Sequence, residues 1–275
     1  MSQDSERRAP LSNGIPTLGI GTWQNEDHDQ CAESVRTALD HGYRHVDTAQ
    51  AYRNEEAVGR GIAEADVDRE DVFLATKVWT SNLAHDDVLE TTEESLDRLR
   101  TDYLDLLYVH WPANEYDPEE TLSAFAELRD EGAIERIGVS NFEPRHLDEA
   151  RDVLGELPFA NQVEFHPLLP QEDLQAYAAN EDLELVAYSP LARGEVFDIP
   201  EIQDVAEKHG VSEAQVSLAW VREKGATAIP KATGRDHIED NFASLDVELD
   251  DEDVEQIDSV SGRDRQVDPD FGPWN

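Results

Sequence analysis

Asp47, Tyr52, Lys77 and His110 supply a carboxylate, a phenol, an ammonium and an imidazole. They stand in Asp47-Thr48-Ala49-Gln50-Ala51-Tyr52, Ala75-Thr76-Lys77 and Tyr108-Val109-His110-Trp111. Such a set can protonate a carbonyl oxygen while another group delivers a hydride. A free phenol ionises near pH ~10. A neighbouring ammonium stabilises the phenolate, so Lys77 is expected to lower the pKa of Tyr52 and make it a better acid. Lys77 itself lies in the apolar run Phe73-Leu74-Ala75-Thr76-Lys77-Val78-Trp79. A lysine there needs a counter-charge or it loses its proton, and Asp47 is the natural partner. His110 follows Leu106-Leu107-Tyr108-Val109 and would orient a substrate carbonyl or assist the proton transfer. Taken singly, each residue has a plainer role as ion pair, packed ring or core histidine. Their combination favours chemistry.

Lysine is scarce in this chain. Of 22 basic residues only Lys77, Lys208, Lys224 and Lys231 are lysines, against 63 acidic residues and a net charge of −41. That charge reads as a solvated surface. In dilute buffer it would repel itself and weaken the compact state. At molar salt the Debye length is about 3 Å and the repulsion largely vanishes. A salt-adapted, halophilic cytoplasm is therefore expected. No basic stripe exists for nucleic-acid phosphates. The apolar runs are shorter than the roughly 18 residues of a membrane span. The start MSQDSERRAP lacks the apolar core of a signal peptide. The single cysteine, Cys31, can form no internal disulfide, which agrees with a cytoplasmic chain. No His/Cys cluster has zinc spacing, and the pair His41 and His45 is interrupted by Gly42, so no metal is expected.

The elements that must position these residues alternate. Asn13-Gly14 within Pro10–Leu18 signals an N-terminal hairpin. Eight apolar runs follow: Thr17–Trp23, Arg44–Thr48, Val72–Val78, Leu104–Trp111, Ile134–Val139, Phe159–Phe165, Leu183–Tyr188 and Ala226–Pro230. Segments of helical period lie between them. Cys31, Val35, Ala38 and Leu39 share one face, as do Val88, Leu89, Thr92, Leu96 and Leu99. Ile202, Val205 and Ala206 begin another helix, and Val216, Ala219 and Trp220 a further one. No Pro-, Gly- or Ser-rich linker divides residues 1–275. Repeated strand–helix units predict a single α/β domain, a (β/α)8 TIM barrel. The competing doubly wound sheet would carry Gly-x-Gly-x-x-Gly after its first strand. Here Gly19-Ile20-Gly21 continues into Thr22-Trp23-Gln24, without the third glycine.

A barrel of this kind collects functional groups at the C-terminal ends of its strands. Asp47, Lys77 and His110 end the second, third and fourth strands. Ser140-Asn141 end the fifth, Gln162 lies in the sixth, Tyr188-Ser189 end the seventh and Lys231 ends the eighth. Trp23, Trp79 and Trp111 also fall at strand ends and suggest an aromatic pocket for a small carbonyl substrate.

The chain resembles the aldo-keto reductases from end to end. The matching stretches are Leu18-Gly19-Ile20-Gly21-Thr22-Trp23, Asp47-Thr48-Ala49 through Tyr52, Gly138-Val139-Ser140-Asn141-Phe142, Asn161-Gln162-Val163-Glu164-Phe165-His166-Pro167, Ala187-Tyr188-Ser189-Pro190-Leu191 and Ile229-Pro230-Lys231. The compact loop after Leu191 is similar to that of shorter microbial members. The resemblance implies reduction of aldehydes or ketones with a nicotinamide cofactor, usually NADPH, without metal. It implies Tyr52 as general acid, Lys77 as its partner, Asp47 bracing Lys77, and His110 orienting substrate. Ser140, Asn141 and Gln162 would hold the nicotinamide carboxamide, and Tyr188 would stack on the ring. Thr22 and Asp47 would approach the ribose, and Ser189 and Leu191 the pyrophosphate. Lys231, Thr233, His237 and Asn241 belong to the segment implied for the adenosine end.

Two positions depart from the family pattern. Ala232 follows Lys231 where a serine or threonine is usual, and His237 replaces an arginine common in NADPH users. Arg235 could compensate. NADPH (NADP+) is favoured, with NADH as the alternative. The tail Arg263–Asn275, bearing Phe271 and Trp274, is expected to lie over the active-site face. The expected protein is a monomeric enzyme that binds a small aldehyde or ketone and neither nucleic acid nor membrane. The competing readings are a nicotinamide-binding barrel serving as redox sensor or regulatory subunit, and an aldolase or isomerase using Lys77 as a Schiff base.

Overall fold

The computed structural model describes residues 7–275. A short hairpin comes first, β1 (Leu11–Ser12) and β2 (Ile15–Pro16), paired Leu11 to Pro16 and Ser12 to Ile15. Its turn needs two residues with positive φ. Asn13 (44°) and Gly14 (92°) supply them, as the sequence pattern predicts.

Eight parallel strands follow: β3 (Ile20–Gly21), β4 (His45–Asp47), β5 (Phe73–Val78), β6 (Leu106–Val109), β7 (Ile137–Ser140), β8 (Ala160–Glu164), β9 (Glu184–Tyr188) and β10 (Ala226–Ala228). Each pairs with its neighbour in sequence order. The ends of the sheet meet through parallel bridges from Leu18 to Ala228 and from Gly21 to Lys231. Gly19 N–H donates to Ala228 O at 2.8 Å, and Gly21 N–H to Pro230 O at 3.1 Å. The sheet is therefore curled into the expected (β/α)8 barrel.

The helices sit outside: α1 (His28–His41), α2 (Glu55–Glu64), α3 (His85–Leu99), α4 (Pro118–Asp130), α5 (Pro144–Leu154), α6 (Glu172–Ala178), α7 (Pro200–His209), α8 (Glu213–Glu223), α9 (Arg235–Ala243) and α10 (Asp251–Asp258). Several start on side-chain caps that satisfy otherwise orphaned amides. Asp27, Asp117, Ser212 and Asp250 each accept from a first-turn N–H. Both helices foreseen in residues 200–223 form, so β9 and β10 are joined by two helices rather than one. No helix among the described residues is long and apolar enough to cross a membrane.

Strand parity divides the core. Phe73, Ala75, Leu106, Tyr108, Ala160 and Val186 point inward and pack with Ile15 of the hairpin and Ile229. Leu74, Val78, Leu107, Val109, Val163, Leu185 and Ala187 point outward and join the larger cluster beneath the helices. Gly138 makes room for the inward Tyr108. A Cβ there would lie 2.5 Å from the Tyr108 ring. The same parity carries Lys77 inward above Phe73 and Ala75.

The hydrogen-bonded strands are shorter than the apolar runs. Leu104 makes only an isolated bridge to Ile134, and His110 and Trp111 lie beyond β6. Apolar burial continues past the ladder because helices and loops cover the strand ends. Hydropathy follows the burial, not the hydrogen bonds.

Candidate active site

The site is built on strand ends. Asp47 closes β4, and Lys77 is the penultimate residue of β5. Their side chains are 2% and 1% exposed, a fully buried pair. Lys77 Nζ donates to Asp47 Oδ1 at 2.5 Å and to Thr48 O at 2.8 Å. Gln162 of β8 donates from Nε2 to Asp47 Oδ2 at 2.8 Å. Both carboxylate oxygens thus have partners, as a buried charge requires.

Tyr52 ends a 3-10 turn, Gln50–Tyr52, just past β4. Its ring lies 5.1 Å from Lys77 Nζ and 5.8 Å, edge to face, from the His110 ring. Trp79 meets the other side of His110 at 5.1 Å. The turn is held by Asn54, which the sequence offered no reason to single out. Asn54 is buried, accepts from Thr48 Oγ1 at 2.9 Å and donates to Thr22 O at 2.9 Å. An asparagine after a turn carries no local sign of such a long-range role.

The electrostatics differ from the sequence expectation in one respect. Burial pushes the Tyr52 phenol well above its usual value, and the Asp47 charge and Tyr188 push the same way. Lys77 does not draw it down in this geometry, because its ammonium is engaged by Asp47 and Thr48 O and faces the phenyl ring. Burial lowers the pKa of Lys77, opposed by Asp47. Burial and then the Lys77 charge hold His110 well below its usual value. His110 is thus neutral at pH 7, and its Nδ1 has no partner.

These groups face a cavity of about 300 Å³ at the barrel mouth. Thr22, Asp47, Tyr52, His110, Ser140, Asn141, Gln162 and Tyr188 all line it. So do Trp23, Trp79 and Trp111, with Val267, Pro269 and Phe271 of the tail. Lys77 lies beneath this lining. Ser140 Oγ donates to Gln162 O at 2.8 Å and accepts from Asn141 Nδ2 at 3.0 Å. Tyr188 donates from its hydroxyl to Asn141 Oδ1 at 2.8 Å. Thr22 Oγ1 donates to Asp47 O at 3.0 Å. Gln162 gives its amide hydrogen to Asp47, and its carbonyl oxygen is left to accept. A set of hydroxyls and amides of this kind suits a carboxamide and a ribose.

A second cavity, about 550 Å³, adjoins the first and shares Trp23, Ser189 and Lys231 with it. Leu191, His237 and Asn241 line it as expected. Thr233 lines neither cavity. Arg235 is turned toward Glu239 at 3.2 Å and lines neither cavity. Arg193 and Asp240 are among the lining residues that were not foreseen. Arg193 stacks over Trp23 at 4.7 Å from the ring centre. Asp240 is held by Ser212 at 2.7 Å and Gln215 at 2.6 Å. Their sequence contexts are those of ordinary surface residues. Only the loop after β9 and the α8–α9 packing bring them to the channel.

Known proteins share this architecture. Residues 17–261 match the aldo/keto reductase family. An aldo-keto reductase of Mycolicibacterium smegmatis is 45% identical over 249 residues, 90% of each chain. A glyoxal reductase of Bacillus subtilis is 41% identical over 261 residues, 94% of each chain. Among solved structures, a Bombyx mori aldo-keto reductase in complex with NADP superposes with a TM-score of 0.88. It is 32% identical, with 95% of this chain and 96% of that one covered.

Proposed function

The chain belongs to the aldo/keto reductase family, and on that premise we propose that it reduces small aldehydes or ketones to alcohols with NADPH, using Tyr52 as proton donor. Carbonyl reduction fits relatives such as the glyoxal reductase of Bacillus subtilis. The single observation that carries the finer reading is the convergence of Tyr52, His110 and the buried Lys77–Asp47 pair on one cavity.

The bound nicotinamide would supply the hydride. Ser140, Asn141 and the carbonyl of Gln162 would hold its carboxamide, and Tyr188 would cover one ring face. Thr22 and Asp47 would approach the ribose, and Ser189 and Leu191 the pyrophosphate. The chain's own residues do the rest. The substrate oxygen docks between Tyr52 and His110, while the three tryptophans and the tail exclude water. Burial keeps the Tyr52 phenol protonated until negative charge develops on that oxygen. The proton then moves from Tyr52 to the nascent alkoxide, stabilised by preorganised donors. His110 is neutral and can steer the carbonyl by a hydrogen bond without adding charge. Lys77, fixed by Asp47, keeps positive charge beside the phenol as it becomes phenolate.

NADPH is favoured because Lys231 and Arg193 line the second cavity of a chain that carries −41 net charge. Lys231 would meet the 2′-phosphate, and His237 and Asn241 the adenosine. Steady-state cofactor oxidation with an aldehyde panel in high salt tests both parts. Aldehyde-dependent oxidation is expected, with kcat/KM higher for NADPH than for NADH. A higher value for NADH overturns the cofactor assignment, and no turnover with any aldehyde overturns the function. A nicotinamide sensor, in contrast, would bind cofactor without consuming it.

A further inference from the structure

Glu164 ends β8 and is fully buried, as is His166. It lines neither cavity, so the chemistry above gives it no task. A carboxylate in such a place is costly unless its lone pairs are filled. Three donors fill them. His166 Nε2 lies 2.9 Å from Oε1. The other two come from the C-terminal tail, where Gln266 N–H reaches Oε1 at 2.6 Å and Val267 N–H reaches Oε2 at 2.9 Å. Asp264 N–H also donates to Leu168 O at 3.1 Å. The tail is thus fastened to the loop after β8 by its backbone, whatever side chains it carries at those positions.

Immediately beyond the fastening, Val267, Pro269 and Phe271 enter the wall of the first cavity. Phe271 sets its edge against Trp111 at 5.5 Å and Trp79 at 6.3 Å. It is nevertheless 38% exposed. Trp274 continues the stack on Trp111 at 5.6 Å. The two contacts made by Phe271 are edge-on and leave its ring partly in water. The charge-assisted bonds at Glu164 are buried and directional, and so are the stronger hold.

We propose that Glu164, oriented by His166, is a positioning residue that clasps the tail and so sets Phe271 as the substrate-facing wall. The proposal rests on the reading that this cavity takes a carbonyl substrate. It assigns selectivity for aromatic over compact aldehydes to a residue that touches neither substrate nor cofactor. Glu164→Gln is the informative change. An amide offers one acceptor oxygen, and its NH2 would face a backbone N–H or His166.

Amide hydrogen exchange on the full-length protein is the first test. Gln266 and Val267 are expected to exchange more slowly than any other residue of the tail, and faster in Glu164→Gln. Equal exchange across the tail of the unaltered protein overturns the clasp, whether or not the variant folds. Kinetics are the second test, with benzaldehyde and glyoxal as probes. Glu164→Gln should raise KM for benzaldehyde about tenfold, the scale of one buried charged hydrogen bond lost. Its kcat, its KM for glyoxal and its cofactor Kd should stay near the unaltered values. Phe271→Ala should likewise raise KM for benzaldehyde, and the double variant should raise it no further than the single ones, since coupled residues are not additive. Multiplying KM effects, or a fall in kcat or cofactor affinity instead, overturns the positioning role. If the unaltered enzyme turns over no aldehyde, the proposed function fails while the exchange result still decides the clasp.

Discussion

Lys77 and Asp47 lie on adjacent parallel strands, 30 residues apart, and meet inside the barrel with Nζ 2.5 Å from Oδ1. The pair is almost fully buried, so each charge depends on the other and on Thr48 O and Gln162. Breaking it leaves an uncompensated buried ammonium. Asp47→Asn is expected to destabilise the fold by about 3–5 kcal/mol, the range for removing one partner of a buried pair. Urea denaturation in high salt measures this. A midpoint within error of the unaltered protein would mean that Lys77 is already neutral.

Tyr52→Phe removes one oxygen and leaves the ring that packs on Lys77 and His110. Carbonyl reduction should fall by about 100-fold to 10,000-fold in kcat, the usual contribution of a positioned acid. Cofactor affinity, read by fluorescence titration, should change little. Undiminished kcat would remove Tyr52 from the chemistry.

His45 starts β4 and is fully buried, with no well-formed hydrogen bond at either ring nitrogen. Burial lowers its pKa from 6.5 to about 4, opposed by Asp47 and by a weak contact with the Pro16 backbone. The neutral form is native at pH 7. Below pH 6.5 the unfolded chain takes up a proton that the folded chain refuses, so stability falls with falling pH until about pH 4. The drop from 6.5 to about 4 corresponds to about 3 kcal/mol. Denaturation midpoints between pH 7 and pH 4 should show this loss, superimposed on that from carboxylates. His45→Asn should lack the histidine part. An identical slope in the variant would show that His45 contributes none of it.

The surface charge gives a fourth expectation. With −41 net charge the compact state is self-repelling, and molar salt cuts the Debye length from about 10 Å to about 3 Å. The melting temperature should rise steeply from dilute buffer to molar KCl. A salt-independent melting temperature would rule out salt adaptation.

Much of the site could be read from local pattern. Apolar runs located the strands, and the polar residues at or near the end of each run located the rim. Lys77 is the clearest instance. Its place in an apolar run and the scarcity of lysine mark it. The Asn13-Gly14 turn was equally local. The length of the strands was less legible, because residues such as Leu104 and Trp111 are buried without being in the ladder.

The amino-acid sequence alone determined which groups are present, at which strand ends they fall and the family the chain resembles. Those depend on apolar runs and on short motifs. Tertiary structure decided what each group meets. Gln162 reaches Asp47 across 115 residues of chain, and Gln266 reaches Glu164 across 102. Closure of the barrel sets both contacts, and no window along the chain encodes them. Tertiary structure also decided the sign of the Tyr52 shift. The sequence placed an ammonium near a phenol and implied a lowered pKa. The fold holds that ammonium on Asp47 and Thr48 O, over the face of the phenyl ring, and desolvation of the phenol outweighs it.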